Sequence, residues 1–321
     1  DNEQKRDVHL TYNKYKISEI NSKLGLKTFD LAQLVKNIGL TTETVIVDHP
    51  EFYQHLDKVI SNSSNEMIMK EYFMVRLMSS MASYLEPEFE QLRFNFYGKM
   101  LSGQKEMKPR WQRVVHTLNS QLGEVIGKQY VKKYFPSQSK VDVLKMVNQF
   151  KDELKEIITN AAWMTKSTKR KALVKLEKMR CKIGYPDKWR DYSKLNLKYD
   201  TYVDNMLRCN NFDFEYDINK IDEPVDRDEW HMLPQTINAY FAPNFNEIVF
   251  PAAILQAPFY DLSQSRVKNY ASIGMVIGHE MTHSFDDQGR EYDENGELNS
   301  WWTKTDTTRF EKERKKIVEQ Y

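Results

Sequence analysis

Two histidines four residues apart, with a glutamate directly after the first, form the segment His279-Glu280-Met281-Thr282-His283. On a helix, residues four apart share a face, so both imidazoles can reach one metal ion. Glu280, between them, stands near enough to take a proton from a water bound to that metal. This is the chemistry of a zinc-dependent peptidase. With seven histidines in 321 residues, the pattern would arise by accident in about one such chain in a hundred. The competing reading is a pair of histidines that cap or pack a helix beside a solvated glutamate.

The flanks favour the metal. Residues Ala271 to Gly278 are apolar or small, which predicts a helix buried beneath a cleft. Downstream, Phe285-Asp286-Asp287-Gln288-Gly289 supplies a carboxylate three residues past His283 and a glycine able to end the helix. Asp286 is expected to hold a ligating imidazole from behind, fixing its tautomer and orientation. The alternative is a carboxylate that only solvates the helix end.

The elements that must position these groups fall into two patterns. Up to about residue 195, apolar residues recur three and four apart over Phe29–Ile38, Pro50–Ile60, Glu66–Tyr84, Pro87–Tyr97, Arg110–Tyr134 and Val141–Asn160, which predicts packed antiparallel helices. Thr165 to Lys178 carries Lys166, Lys169, Arg170, Lys171, Lys175 and Lys178 around Leu173, Val174 and Leu176, and reads as a helix with a solvated basic face. Ile183-Gly184-Tyr185-Pro186-Asp187 breaks the periodicity, and a polar, irregular stretch follows. The expected division is a helical domain over residues 1–195, a linker over 196–225 and the start of a catalytic domain over 226–321. Within the last, Thr236–Phe241 and Glu247–Phe250 read as neighbouring strands joined by Ala242–Asn246. A strand edge beside a metal can bind an extended peptide through main-chain hydrogen bonds, with an Asn side chain as donor and acceptor; Asn238 and Ala239 are the candidates. Pro251 to Pro258 forms an apolar, proline-bounded connection into Phe259 and Tyr260, suited to wall a side-chain pocket.

Composition sets limits. Forty-seven basic and forty-six acidic residues nearly cancel, so no overall field draws in nucleic acid or an acidic membrane. The 40% hydrophobic and 12% aromatic content supports a large packed core. The apolar run before the motif is too short to span a membrane, and the polar start is not a secretory signal. Cys181 and Cys209 flank no metal-ligand pattern, and Asn62-Ser63-Ser64 fits a glycosylation acceptor. Neither Gly-x-Ser-x-Gly nor a phosphate-binding glycine loop occurs.

Taken together, Asn238-Ala239-Tyr240-Phe241, Ile248-Val249-Phe250-Pro251-Ala252, Ile254-Leu255-Gln256-Ala257-Pro258-Phe259, Gly274 through His283 and Phe285-Asp286-Asp287 resemble the neprilysin and endothelin-converting-enzyme family, including its bacterial members. Weaker likeness extends upstream through Trp163-Met164, Ile183-Gly184-Tyr185-Pro186 and Asp228-Glu229-Trp230. The resemblance implies a mainly α chain with a small β portion, in which a helical domain caps a substrate chamber and precedes part of a thermolysin-like catalytic domain. It implies one zinc ion per complete site, with His279 and His283 as ligands, Glu280 as general base and Asp286 as the orienting acid. Asn238 and Ala239 match the family's substrate-backbone binders. Ile254, Phe259, Met275 and Val276 match the wall of a pocket for a large apolar residue after the cleaved bond; their bland reading is core packing. An extracytoplasmic setting is favoured over a cytoplasmic one.

In the family, the third zinc ligand is a Glu of a Glu-x-x-x-Asp motif on a second helix, followed by a His and an Arg that assist the transition state. The pattern places all of these beyond Tyr321, so the chain resembles a central segment whose third ligand comes from a further segment or a companion chain. Glu291, Glu294, Glu297, Glu311, Glu313 and Glu319 are the downstream acids within the sequence, expected to be solvated. Two other classes stay open: a peptide-binding, non-catalytic segment, and a different metallohydrolase completed by one of these acids.

Overall fold

The computed structural model describes residues 7–62, 66–221 and 223–320; Ser63 and Ser64 of the acceptor pattern lie outside them. The chain forms two compact units, one of residues 1–122 with 190–226, the other of residues 123–189 with 227–321.

The first unit is helical. Its longer helices are Pro50–Asn62, Glu66–Met81, Arg110–Gln121 and Tyr202–Asn219, and Pro87–Arg93 continues into a π-helical stretch, Phe94–Leu101. A short antiparallel ribbon joins β1 (Asn13–Lys16) to β2 (Thr44–Val47). Beside it, Ile17, Ile20, Leu24, Leu31, Val35 and Val47 form a small core. The buried Asp57 accepts from the amides of Lys27, Thr28 and Phe29 and pins the connection between the short helices of this core.

The second unit carries the motif. β3 (Arg180–Gly184) runs parallel to β5 (Glu247–Pro251), and β4 (Tyr240–Ala242) pairs antiparallel with β5, giving the order β3-β5-β4. β5 is buried along its whole length, as expected of an unbroken Ile-Val-Phe run in the middle of a sheet. Helices Gly123–Tyr134, Ser137–Asn160, Lys166–Lys178, Ile273–Thr282 and Lys304–Val318 complete the unit. Its core joins Val143, Met146 and Val147 of the long helix to Ile248 and Phe250 of β5 and to Ile273, Ile277 and Met281 of the motif helix. Gly274 lets the Phe150 ring of the long helix approach, since a Cβ there would meet Phe150 Cζ at 2.9 Å. Among the described residues no helix is long and apolar enough to cross a membrane.

The predicted helices recur with shifted ends; Arg110–Tyr134 is two helices, broken at Leu122. The predicted strand pair is also present, although Thr236–Ala239 lies ahead of β4 rather than within it. The division differs from the expected 1–195, 196–225 and 226–321. The helices from 123 to 178 belong with the sheet and the motif, and most of 196–225 is the Tyr202–Asn219 helix, capped at Thr201. Apolar periodicity shows that a helix has a buried face, not which core that face meets. β3 explains the regrouping: its partner β5 lies more than sixty residues downstream, which ties residues 123–189 to the motif. Cys181 and Cys209 are free thiols.

Candidate metal centre

The Ile273–Thr282 helix follows the Arg266–Ala271 helix after a break at Ser272, and it is anchored at its start by the Ile273 N–H, which donates to Phe259 O at 3.0 Å. It buries Ile273, Gly274, Ile277, Glu280 and Met281, so its inner stripe is fixed by the core and its next face turns the two histidines together. The helix ends at His283, which is its C-cap, six residues before the glycine expected to stop it. Gly289 has a different task. A Cβ there would stand 1.8 Å from the His283 carbonyl oxygen, so the returning loop can pass the helix end only where no side chain intervenes.

His279 and His283 bring their Nε2 atoms to 3.1 Å from each other. Two nitrogens each 2.0–2.1 Å from one tetrahedral zinc stand about 3.3 Å apart, so the pair fits a zinc ion with little adjustment. The far side of the His283 ring is also fixed, because Nδ1 donates to Asp286 Oδ2 at 2.7 Å. A carboxylate only accepts; this bond therefore leaves Nε2 of a neutral ring free to give its lone pair to a metal. Asp286 is held in turn, its Oδ1 accepting from Gln288 N–H at 2.9 Å and Gly289 N–H at 2.7 Å.

Glu280 is 6% exposed. Burial raises its carboxyl above the usual carboxylate range, against the opposing pull of His283, His279 and the Phe241 backbone N–H. Phe241 lies in β4, at the edge of the sheet, so the candidate base stands beside the candidate peptide-binding strand. Asn238 is exposed and Ala239 buried just ahead of that strand, and Asn238 Oδ1 accepts from the Ala239 N–H at 2.9 Å. Of the predicted pocket residues, Ile254 is 5% exposed and sits in the main core, with Phe259 and Val276 packed against it. Met275 is 68% exposed on the motif helix.

Among the described residues no group of three His, Cys, Asp or Glu side chains is placed to hold a metal. The downstream acids mostly find cations instead: Glu291 and Glu311 pair with Arg290, Glu294 with Lys178, Glu313 with Lys316 and Glu319 with Lys315. The metallohydrolase completed by one of these acids therefore finds no support in the described residues.

One reading of the basic helix is overturned. Lys175 does not belong to the expected solvated face: it is 1% exposed. Its Nζ donates to the carbonyls of Ser284, Gly289 and Tyr292 at 2.8, 2.7 and 2.7 Å. Burial pushes this ammonium down to about 7, against the attraction of Asp293, Asp286 and Glu294. The available signal was its spacing: Lys175 falls between Ala172 and Leu176, both buried on the helix's inner stripe.

Residues 1–186 match the N-terminal model of Peptidase family M13, and residues 238–321 match a second model of the same family. An endothelin-converting enzyme homolog of Locusta migratoria is 34% identical across 99% of this chain and 46% of its own length. A neutral endopeptidase of Lactobacillus helveticus is 36% identical across 97% of the chain and 48% of its own. The chain thus spans about half the length of these relatives. Among solved structures, the Mycobacterium tuberculosis zinc metalloprotease Zmp1 in complex with an inhibitor superposes with a TM-score of 0.92 at 38% identity, over 99% of this chain and 48% of that one. The resemblance drawn from the motifs holds, and the chain belongs to peptidase family M13.

Proposed function

We propose that this chain supplies two zinc ligands, His279 and His283, and the general base, Glu280, of a zinc endopeptidase that hydrolyses oligopeptides. The observation that carries this reading is the convergence of the two Nε2 atoms at 3.1 Å with His283 held from behind by Asp286. Bound zinc would polarise the peptide carbonyl and acidify a water. Glu280, with its proton affinity raised by burial, takes the proton from that water and returns it to the leaving nitrogen. Asn238 and Ala239 hold the substrate backbone beside β4, in the manner of an added strand. Ile254, Phe259, Met275 and Val276 select a large apolar side chain after the cleaved bond.

A catalytic zinc generally takes three protein ligands and a water, so the proposal includes a third ligand from a further segment or a companion chain, and an extracytoplasmic place of work. A second reading is a peptide-binding, non-catalytic segment, favoured by the absence of a third ligating side chain among the described residues. Equilibrium dialysis of the whole protein, third ligand included, with metal analysis separates the two. One tightly held zinc per chain, lost in His283→Ala, supports the enzyme. Absence of zinc binding together with retained peptide binding supports the second reading.

A further inference from the structure

A lysine ammonium is rarely buried unless it is paired and fully hydrogen-bonded, and Lys175 meets this condition in an unusual way. Its three N–H donors, the full complement of an ammonium, all go to main-chain carbonyls: those of Ser284, Gly289 and Tyr292. Around it stand the rings of Phe285, Trp301 and Phe241, with centroids 5.8, 5.9 and 6.0 Å from Nζ. A leucine or methionine would fill such a site without the desolvation of a charge. What the lysine adds is a single point at which three separated carbonyls converge.

Those carbonyls belong to one loop. Ser284 directly follows the candidate ligand His283; Gly289 donates its own N–H to Asp286 Oδ1; Tyr292 closes the turn, its carbonyl also accepting from Trp301 Nε1 at 2.9 Å. Asn246 braces the other side, its Nδ2 donating to the Lys175 carbonyl at 2.9 Å and to the Glu294 carbonyl at 3.3 Å. Asp286 therefore hangs between two residues whose carbonyls Lys175 holds, and it meets the His283 ring from that loop.

We propose that Lys175 is a positioning residue for the His283–Asp286 pair: by gathering the carbonyls of Ser284, Gly289 and Tyr292 it fixes the loop that carries Asp286, and through Asp286 the orientation of the His283 ring. That this orientation serves a metal rests on the function proposed above. The ring orientation itself can be tested without metal.

The test is nuclear magnetic resonance of the metal-free chain with 15N-labelled histidine, joined to zinc titration of the whole protein, third ligand included. The His283 Nδ1–H, identified by its loss in His283→Ala, gives a slowly exchanging ring signal in the wild type. In Lys175→Met that signal is lost or exchanges at least about tenfold faster, as in Asp286→Ala, while the other histidine signals persist. Zinc affinity falls by about ten- to a hundredfold, the usual effect of removing an outer-shell partner, and Lys175→Met adds nothing further in an Asp286→Ala background. A merely destabilising substitution would leave the ring signal of the folded molecules unchanged. Should Lys175→Met fail to fold, Lys175→Gln, which keeps two donors, is read in the same way. An unchanged ring signal in the folded variant, or effects of Lys175 and Asp286 that multiply, would overturn the proposal. A wild type with the ring signal but without zinc binding would overturn the metal reading and leave the role of Lys175 decided by the ring signal alone.

Discussion

Asp286 grips His283 with one carboxylate oxygen and its own loop with the other: Oδ2 accepts from the imidazole at 2.7 Å, and Oδ1 from the amides of Gln288 and Gly289. The imidazole is therefore referenced to the main chain rather than to a mobile side chain. A metal ligand oriented this way loses little freedom on binding, so much of the ordering cost is met during folding.

Replacing Asp286 with Asn is expected to weaken zinc binding by about ten- to a hundredfold. The amide can still accept from Gln288 and Gly289 but no longer brings a negative charge to the imidazole. Competition with a chromophoric chelator measures the effect. Unaltered affinity would mean that the 2.7 Å bond does not tune the ligand.

Glu280→Gln separates chemistry from metal binding. The side chain keeps its shape in a buried position beside β4, and neither imidazole is touched. Zinc affinity should be preserved, while peptide hydrolysis by the whole protein falls by at least about a hundred- to ten-thousandfold, the range ascribed to general acid–base groups. Hydrolysis at the wild-type rate would remove Glu280 from the mechanism.

The parts of this site that were legible in the sequence are those built from neighbours in the chain. His279, Glu280, His283 and Asp286 lie within eight residues, on one helix and the turn after it, and helical spacing alone predicts their convergence. The β4–β5 hairpin was legible for the same reason. β3 was not, because its short Arg180–Gly184 run becomes a strand only by pairing with β5, more than sixty residues away. The burial of Lys175 is legible in its spacing between Ala172 and Leu176, but its partners are not, because backbone carbonyls leave no residue-type signature. Gly289 does not end the helix; its lack of a side chain matters against the His283 carbonyl, an approach that only the folded chain reveals.

Met275 and Ile254 should respond in opposite ways. Ile254 belongs to the core, so Ile254→Ala is expected to cost about 2–5 kcal/mol of stability, whatever it does to substrates. Met275, 68% exposed, should tolerate Ala within about 0.5 kcal/mol. As a wall of the proposed pocket, its replacement lowers kcat/KM for peptides with a large apolar residue after the cleaved bond by at least about tenfold. Denaturant unfolding and a peptide series differing only at that residue measure the two effects. A Met275→Ala enzyme with unchanged preference would take this residue out of the pocket.

Asp306 ties together the starts of two helices, and its protonation should loosen both. Its Oδ2 accepts from the hydroxyls of Thr165, Thr168 and Thr303 at 2.7, 2.6 and 2.5 Å, and its Oδ1 from the Thr165 N–H at 2.7 Å. These groups lie at the N-termini of Lys166–Lys178, which carries Lys175, and of Lys304–Val318. Burial alone would raise the carboxyl, but the donors from Thr168, Thr303 and Thr165 outweigh it and hold the group at about 2, below its ordinary 3.8. A group depressed on folding binds its proton more readily in the unfolded chain. Its contribution is therefore fully present above about pH 4 and is lost as pH falls through about 2. Urea unfolding followed by near-ultraviolet circular dichroism from pH 5 to pH 2 should show a steeper loss of stability in the wild type than in Asp306→Asn, which cannot titrate. Equal slopes would show that the threonine cluster does not hold the carboxylate in its charged form, and that the helix bearing Lys175 takes its position from packing alone.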